Sequence, residues 1–172
     1  MKIEILSASI ADKPIMRQMM ELYQYDLSEF INTDLNQHGY FDYSYLDQYW
    51  VESNRYPFLV RVECQLAGFV MVHQNTFFFH SEYILSEFFI MRKYRRQGIG
   101  RQVAFHVFDL YCGSWEIYQA HKNLIAQQFW QKVIKAYTAG KYTETVMQND
   151  GWDGIMRCFN NEHEVNNYSK HS

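Results

Sequence analysis

Cysteine is scarce in this chain. Its three residues, Cys64, Cys112 and Cys158, are odd in number, widely spaced and in no ligand pattern. That argues against a disulfide framework or a zinc site and suits a reducing compartment. Proline is scarcer, with Pro14 and Pro57 alone, and no Pro/Gly linker, low-complexity tract or internal repeat marks a domain boundary. No apolar run approaches the roughly 20 residues that cross a bilayer. The opening MKIEILSASIADK is too short and too charged for a secretory leader. We therefore expect one cytoplasmic domain over residues 1–159, with no metal and no membrane contact, and a polar, disordered tail over 160–172.

Aromatic residues are abundant by contrast: 14 Tyr, 13 Phe and 4 Trp in 172 residues. Such rings build a large core, line a cleft for flat or cationic groups, or form a homodimer surface. Net charge is −3 but unevenly spread. Residues 1–57 hold nine acids against four bases, and residues 58–122 hold five against seven. Two binding surfaces of opposite preference would explain this, and so would ordinary solvated faces.

MKIEILSAS reads as a strand, and Asp12 is placed to cap a helix with Pro14 in its first turn and Met16, Met19, Met20, Tyr23 and Leu27 on one stripe. An aromatic loop leads to a second short helix before Trp50. FLVRVE and LAGFVMVH, separated by Cys64-Gln65, form a hairpin pattern, with TFFFHSEY continuing the second run or forming its loop, and YILSEFFIM is a further strand. A helix from Gly98 to Gly113 would bury Ile99, Val103, Val107 and Leu110. WEIYQA is a strand, Asn123 opens a helix that Gly140 closes, and KYTETVM and GIMRCF pair through QNDGWD. The order predicts an α/β (α+β) fold with one central mixed sheet.

The stretch KYRRQGIGRQ carries the functional reading. A strand running into Arg95-Arg96-Gln97-Gly98-Ile99-Gly100 and then a helix suits pyrophosphate, because the first helical N–H groups lack internal partners and glycine lets backbone approach an anion. Arg92, Lys93, Arg95, Arg96 and Arg101 surround that start with positive charge. A Walker loop needs Lys-Ser/Thr where this chain has Arg101-Gln102, and a dinucleotide fingerprint needs a small residue at Val103. Nucleic-acid binding is the remaining use of a basic run, but a pI near 6.1 speaks against it.

With its flanks, EFFIMRKYRRQGIG resembles the acyl-CoA-binding core of the GCN5-related N-acetyltransferase (GNAT) family, whose signature is Arg/Gln-x-x-Gly-x-Gly/Ala between a strand and a helix. The following WEIYQAHKNLIAQQFW is similar to the family's next strand and helix, with Asn123, Ala126, Phe129 and Trp130 in its pattern. The resemblance implies a mostly antiparallel sheet splayed at the fourth strand and acetyl-CoA as acyl donor. It also implies contacts to the pantetheine arm from the backbone of Phe88, Phe89 and Ile90. Arg95, Arg96, Gln97, Gly98, Ile99, Gly100 and Arg101 would surround the pyrophosphate, and Asn123 would bond the arm. The same residues read as core for Phe88 and Phe89, solvated surface for the arginines and a helix cap for Asn123.

Direct transfer to an amine asks for a base, an oxyanion donor and an acid. Glu87 is the first candidate for the base, with Ser86 and Glu82 as alternatives. Many family members carry tyrosine where this chain has Trp130, which cannot deliver a proton at neutral pH. Tyr137 is therefore the candidate acid, beside Tyr118 and His121. Asp26, Glu29, Asp34, Asp42 and Asp47, lying among Tyr25, Tyr40, Tyr43, Tyr45 and Trp50, suit a cationic small-molecule or peptide amine. A regulatory module that binds acyl-CoA with little turnover is the rival reading.

Overall fold

The computed structural model describes residues 1–74, 81–149 and 152–162. The expected loop at residues 76–80, the tip of the last hairpin and most of the expected tail lie outside these residues. The described chain is an α/β fold whose residues group into two compact units. One comprises residues 1–72 and 87–95, the other residues 73–86 and those from Arg96 onward.

The first unit begins with β1 (Ile3–Ser7), α1 (Lys13–Leu27) and a 3-10 helix at Leu46–Trp50. It continues through β2 (Arg55–Val62), β3 (Gln65–His73, to Val72) and the second half of β4 (Tyr83–Ile90). β1 runs antiparallel to β2, with Ile3 opposite Val62 and Ser7 opposite Phe58. The β2–β3 turn lies at Glu63-Cys64, one residue earlier than the sequence suggested. Both residues take positive φ (48° and 64°), as a two-residue hairpin turn requires. β3 is buried at every position from Ala67 to Val72, which marks an interior strand and explains its unbroken apolar run. Met16, Met19 and Met20 of α1 pack into a core with Leu46, Tyr49, Leu59, Phe69, Met71 and Phe89. Asp12 does not cap α1 through its side chain. Its carboxylate turns back to the Ser9 amide and hydroxyl at 2.9 and 2.7 Å, closing a 3-10 turn ahead of the helix.

The second unit holds the first half of β4, α2 (Ile99–Leu110), β5 (Ser114–Ala120), α3 (Leu124–Tyr137), β6 (Thr143–Asn149) and β7 (Trp152–Asn160). β4 and β5 are parallel, with Tyr83 beside Trp115 and Ile84 beside Glu116. β7 pairs antiparallel with both β5 and β6, so the later hairpin returns its second strand to the interior. The core here is a ring cluster about Phe108, whose centroid lies 5.0–5.1 Å from those of Tyr137, Phe159 and Trp115. Leu110, expected on the buried face of α2, is exposed, and Phe108 takes the inward position.

Gly68 fixes how closely β3 and β4 approach. A Cβ there would stand 2.1 Å from the Phe89 carbonyl oxygen, a backbone atom that cannot swing away. We expect Gly68→Ala to cost about 1–3 kcal/mol. Urea unfolding of the two proteins, read by tryptophan fluorescence, measures it.

Candidate active site

Side chains alternate across a strand, so Glu87 shares a face of β4 with Phe89. Phe89 lies in the first unit's core, with its ring 5.8 Å from Tyr23 and 5.6 Å from Phe69. Glu87 therefore projects into aromatic surroundings. The Tyr43 hydroxyl donates to its Oε1 at 2.9 Å, and the Tyr23 hydroxyl is a second hydrogen-bonding partner.

These neighbours set the titration. Burial pushes the Glu87 carboxyl up to about 7, while the Tyr23 and Tyr43 hydroxyls hold it below where burial alone would put it. Burial and the Glu87 charge raise Tyr23 well above its ordinary value, with the Phe88 backbone amide pulling the other way. Tyr43 is raised too, by burial first and then by Glu87. Both phenols stay protonated at neutral pH, and Glu87 is the member of the trio that exchanges a proton there. The residue is only half-buried, so water reaches part of it. Of the alternative bases, Glu82 accepts the Ser114 amide at 2.9 Å, a bond that ties the start of β5. Ser86 belongs with the second unit.

Beside Tyr43 lies a cavity of about 310 Å³, lined by Arg17, Gln18, Met20, Glu21, Tyr40, Asp42, Tyr43 and Leu46. Of the acidic residues singled out in the sequence, only Asp42 lines it. Asp26 pairs with Arg92 at 2.8 Å and with Arg95, and Asp47 pairs with Lys13 and Arg17 at 2.9 and 3.1 Å. Tyr25 and Tyr45 are exposed, and the Trp50 indole donates to the Ala8 carbonyl at 2.9 Å. Glu21 and Tyr23 were missed. Tyr23 looked like one more apolar position on the α1 stripe, and nothing in the spacing brings α1 to β4.

In the second unit, Gly98 takes the left-handed conformation (φ 77°) just before α2. An added Cβ there meets nothing nearer than Gln102 Nε2 at 3.9 Å, so the helix start is open to an incoming group. Arg96 also has positive φ (59°), and this sequence of turns directs successive amides to one side. Arg96, Gln97 and Arg101 are exposed, Ile99 is buried in the core, and Gly100 is the second residue of α2. The first amides of α2, with Arg96 and Arg101, fit a pyrophosphate.

Arg95 has partners of its own. It belongs with the first unit, where its Nε donates to the Ile90 carbonyl at 2.6 Å and a terminal nitrogen bonds Asp26. Its guanidinium lies 5.8 Å from the Phe89 ring centroid. Burial alone would raise Asp26, but the Arg95 and Arg92 hydrogen bonds hold it below the usual carboxylate range. The Ile90 carbonyl, expected to face the pantetheine arm, is thus engaged by Arg95. The Phe89 carbonyl faces Gly68 of β3, and the Phe88 amide, turned to the other edge by alternation, is a hydrogen-bonding partner of the Tyr23 hydroxyl.

The Asn123 Oδ1 accepts the Ala126 amide at 3.0 Å and caps α3, leaving its NH2 to donate elsewhere. Tyr137 donates to Asp109 at 2.8 Å and accepts from Asn161 at 3.3 Å among the rings around Phe108, so its proton is already committed. Trp130 is buried beside Phe108 and Phe129. The Tyr118 hydroxyl donates to the Asp153 carbonyl at 2.7 Å, and His121 is exposed. Among the described residues no helix is long and apolar enough to cross a membrane.

A family model described as the acetyltransferase (GNAT) family matches residues 18–134. Solved structures share the fold. An acetyltransferase from Thermus thermophilus is 16% identical, with 93% of this chain and 97% of that one covered at a TM-score of 0.67. The PaiA N-acetyltransferase from Thermoplasma acidophilum, in complex with coenzyme A, is 16% identical, with 91% and 98% covered and a TM-score of 0.62. A chimeric spermidine N-acetyltransferase from Vibrio cholerae is 12% identical, with 97% and 99% covered and a TM-score of 0.61. A search of curated proteins gives no match.

The raised Glu87 makes stability depend on pH. Its folded value lies at about 7 against an ordinary 4.5, so between these the folded protein holds a proton that the unfolded chain has released. Stability from this group is fully present below about 4.5 and is lost as pH rises to about 7, by about 3 kcal/mol. Urea unfolding from pH 4.5 to 8 will show this decline in the wild type and a flatter profile in Glu87→Gln.

Proposed function

The chain belongs to the GNAT acetyltransferase family, and from that premise we propose that it moves an acetyl group from acetyl-CoA to a primary amine by direct transfer, with Glu87 as the base. The observation that carries this reading is the Glu87–Tyr43–Tyr23 trio beside the acidic and aromatic cavity of the first unit. Residues 1–159 are taken as the functional domain. The three free thiols suit a reaction in the cytoplasm.

Acetyl-CoA supplies an activated thioester, and the chain supplies the rest. A lysine-like ammonium has a pKa of about 10.4, so a carboxylate of ordinary pKa near 4.3 would take its proton uphill by about 8 kcal/mol. A base near 7 lowers that cost to about 5 kcal/mol. Glu87, directly or through a water at its accessible edge, takes the amine proton. The nitrogen lone pair then attacks the thioester carbonyl, the C–N bond forms as the C–S bond breaks, the sulfur leaves with the electron pair, and the second nitrogen proton passes to that thiolate directly or through water. Asp42 in the cavity wall, with Tyr40 and Tyr43, favours a cationic acceptor, in keeping with the spermidine named for one structural neighbour. The α2 start, with Arg96, Gln97, Gly98, Gly100 and Arg101, holds the donor's pyrophosphate. Asn123 offers its NH2, and Phe88 its carbonyl, to the pantetheine arm. Arg95 and Tyr137 are assigned holding roles.

A module that binds acyl-CoA with little turnover is the second reading, favoured by the buried Trp130 and the committed Tyr137 hydroxyl. Two measurements separate the readings. Isothermal titration with acetyl-CoA should show binding that Gly98→Glu abolishes, because the new carboxylate enters the anion's place; a folded wild type that binds nothing overturns both. In thiol-release assays across a panel of amines, Glu87→Gln should lower kcat by about 10²–10⁴-fold. Binding without release of thiol for any amine would leave the module reading.

A further inference from the structure

The loop that brings Tyr43 to Glu87 is held by one carboxylate on α1. Glu21 Oε2 accepts the Phe41 amide at 2.8 Å and Oε1 accepts the Asp42 amide at 3.2 Å. Two successive amides converge on one anion because Asp42 adopts the left-handed conformation, φ 58°, the arrangement that makes backbone an anion nest. Ahead of it, residues 36–40 form a turn closed on itself. Asn36 Oδ1 accepts the His38 and Tyr40 amides at 2.9 and 3.1 Å, and the Asn36 amide donates to the Tyr40 carbonyl at 2.8 Å. The next residue after the nest is Tyr43, whose hydroxyl donates to Glu87.

We propose that Glu21 is a positioning residue: by latching the amides of Phe41 and Asp42 it keeps the Tyr43 hydroxyl on the Glu87 carboxylate, and so sets the pH at which Glu87 takes up a proton. The proposal rests on the reading of Glu87 as the base but is tested apart from it. A hydrogen bond at 2.9 Å is lost once its atoms separate beyond about 3.5 Å, so a displacement of about 0.6 Å at the Tyr43 hydroxyl is enough to break it. The groups facing Glu87 are Tyr23 from α1 and Tyr43 from the loop. Tyr49 of the 3-10 helix and Arg55 of β2 act on Tyr43. Removing the Tyr43 donor withdraws more stabilisation from the charged carboxylate than from the neutral acid, so Glu87 titrates higher. Glu21→Gln has the same consequence by another route: glutamine offers one acceptor and one donor group where two amide donors point, so the nest loses its anion. Because Glu21, Asp42, Tyr40 and Tyr43 also line the cavity, releasing the latch disturbs its wall as well.

The test is carboxyl ¹³C NMR titration of the whole chain, with the Glu87 signal assigned by its absence in Glu87→Gln. The Glu87 midpoint should rise by about one pH unit in Tyr43→Phe and similarly in Glu21→Gln. In the double variant it should rise no further than in Tyr43→Phe, since Glu21 acts through Tyr43. An unmoved midpoint in Glu21→Gln overturns the proposal, and so does a shift that adds in full to that of Tyr43→Phe. Should Glu21→Gln fail to fold, Glu21→Asp keeps the charge but withdraws it from the nest, and is judged by the same titration. If turnover is assayed alongside, wild-type rates in Glu87→Gln would remove the base reading while leaving the latch to stand or fall on the midpoints.

Discussion

A carboxylate placed among phenylalanine and tyrosine rings has two ways to exist: protonated, or charged with hydroxyls in place of water. Glu87 is held between the two. Burial drives it toward the neutral acid, and the tyrosine hydroxyls offset part of that cost. Much of the first unit follows from keeping those hydroxyls in place. The stripe of α1 that buries Met16, Met19 and Met20 also delivers Tyr23, and the loop after α1 returns along the helix to deliver Tyr43. Gly68 permits β3 to lie close to the Phe89 carbonyl of β4, which fixes the strand that bears the carboxylate.

The same economy governs the basic run. Read as a row of letters, Arg92 to Arg101 is one positive patch. In the fold it is divided, because Asp26 near the end of α1 takes Arg92 and Arg95, and Arg95 also closes the Ile90 carbonyl at the end of β4. An arginine fork that satisfies a half-buried carboxylate and a backbone carbonyl together has little left for a mobile phosphate. Arg96 and Arg101, exposed and flanking the open helix start, keep that capacity.

Sequence reasoning went furthest where a requirement is local. The helix start after Gly98, the Asn123 cap and the α1 stripe are each decided within a few residues, and each was legible. The glycine–arginine signature around Gly98 pointed to the family for the same reason. What escaped depended on contacts across long stretches of chain. Tyr23 and Tyr43 are 64 and 44 positions from Glu87, and no periodicity links them. Glu21 was not singled out in the sequence, while Asp26 and Asp47 looked suited to a substrate and are consumed by ion pairs. Leu110 is the last residue of α2 and is exposed, while Phe108, about 200° from it around the helix, is buried with Ala104, so the buried arc is broader than the expected stripe.

The tyrosines also show why residue type alone does not name a proton carrier. The Tyr137 hydroxyl donates to Asp109, a carboxylate at the exposed end of α2, and accepts from Asn161, so it anchors α3 within the second unit's ring cluster. The Tyr43 hydroxyl makes a bond of nearly the same length, but to a half-buried carboxylate that water reaches only in part. At an exposed carboxylate water competes for every lone pair, and one hydroxyl more or less changes its proton affinity little. At a buried one the hydroxyl is a large part of the solvation that remains, so its position is felt in the titration. The difference lies in the environment of the acceptor, and it makes the Tyr43–Glu87 pair, rather than the better-packed Tyr137, the place where this fold can hold and release a proton near neutral pH.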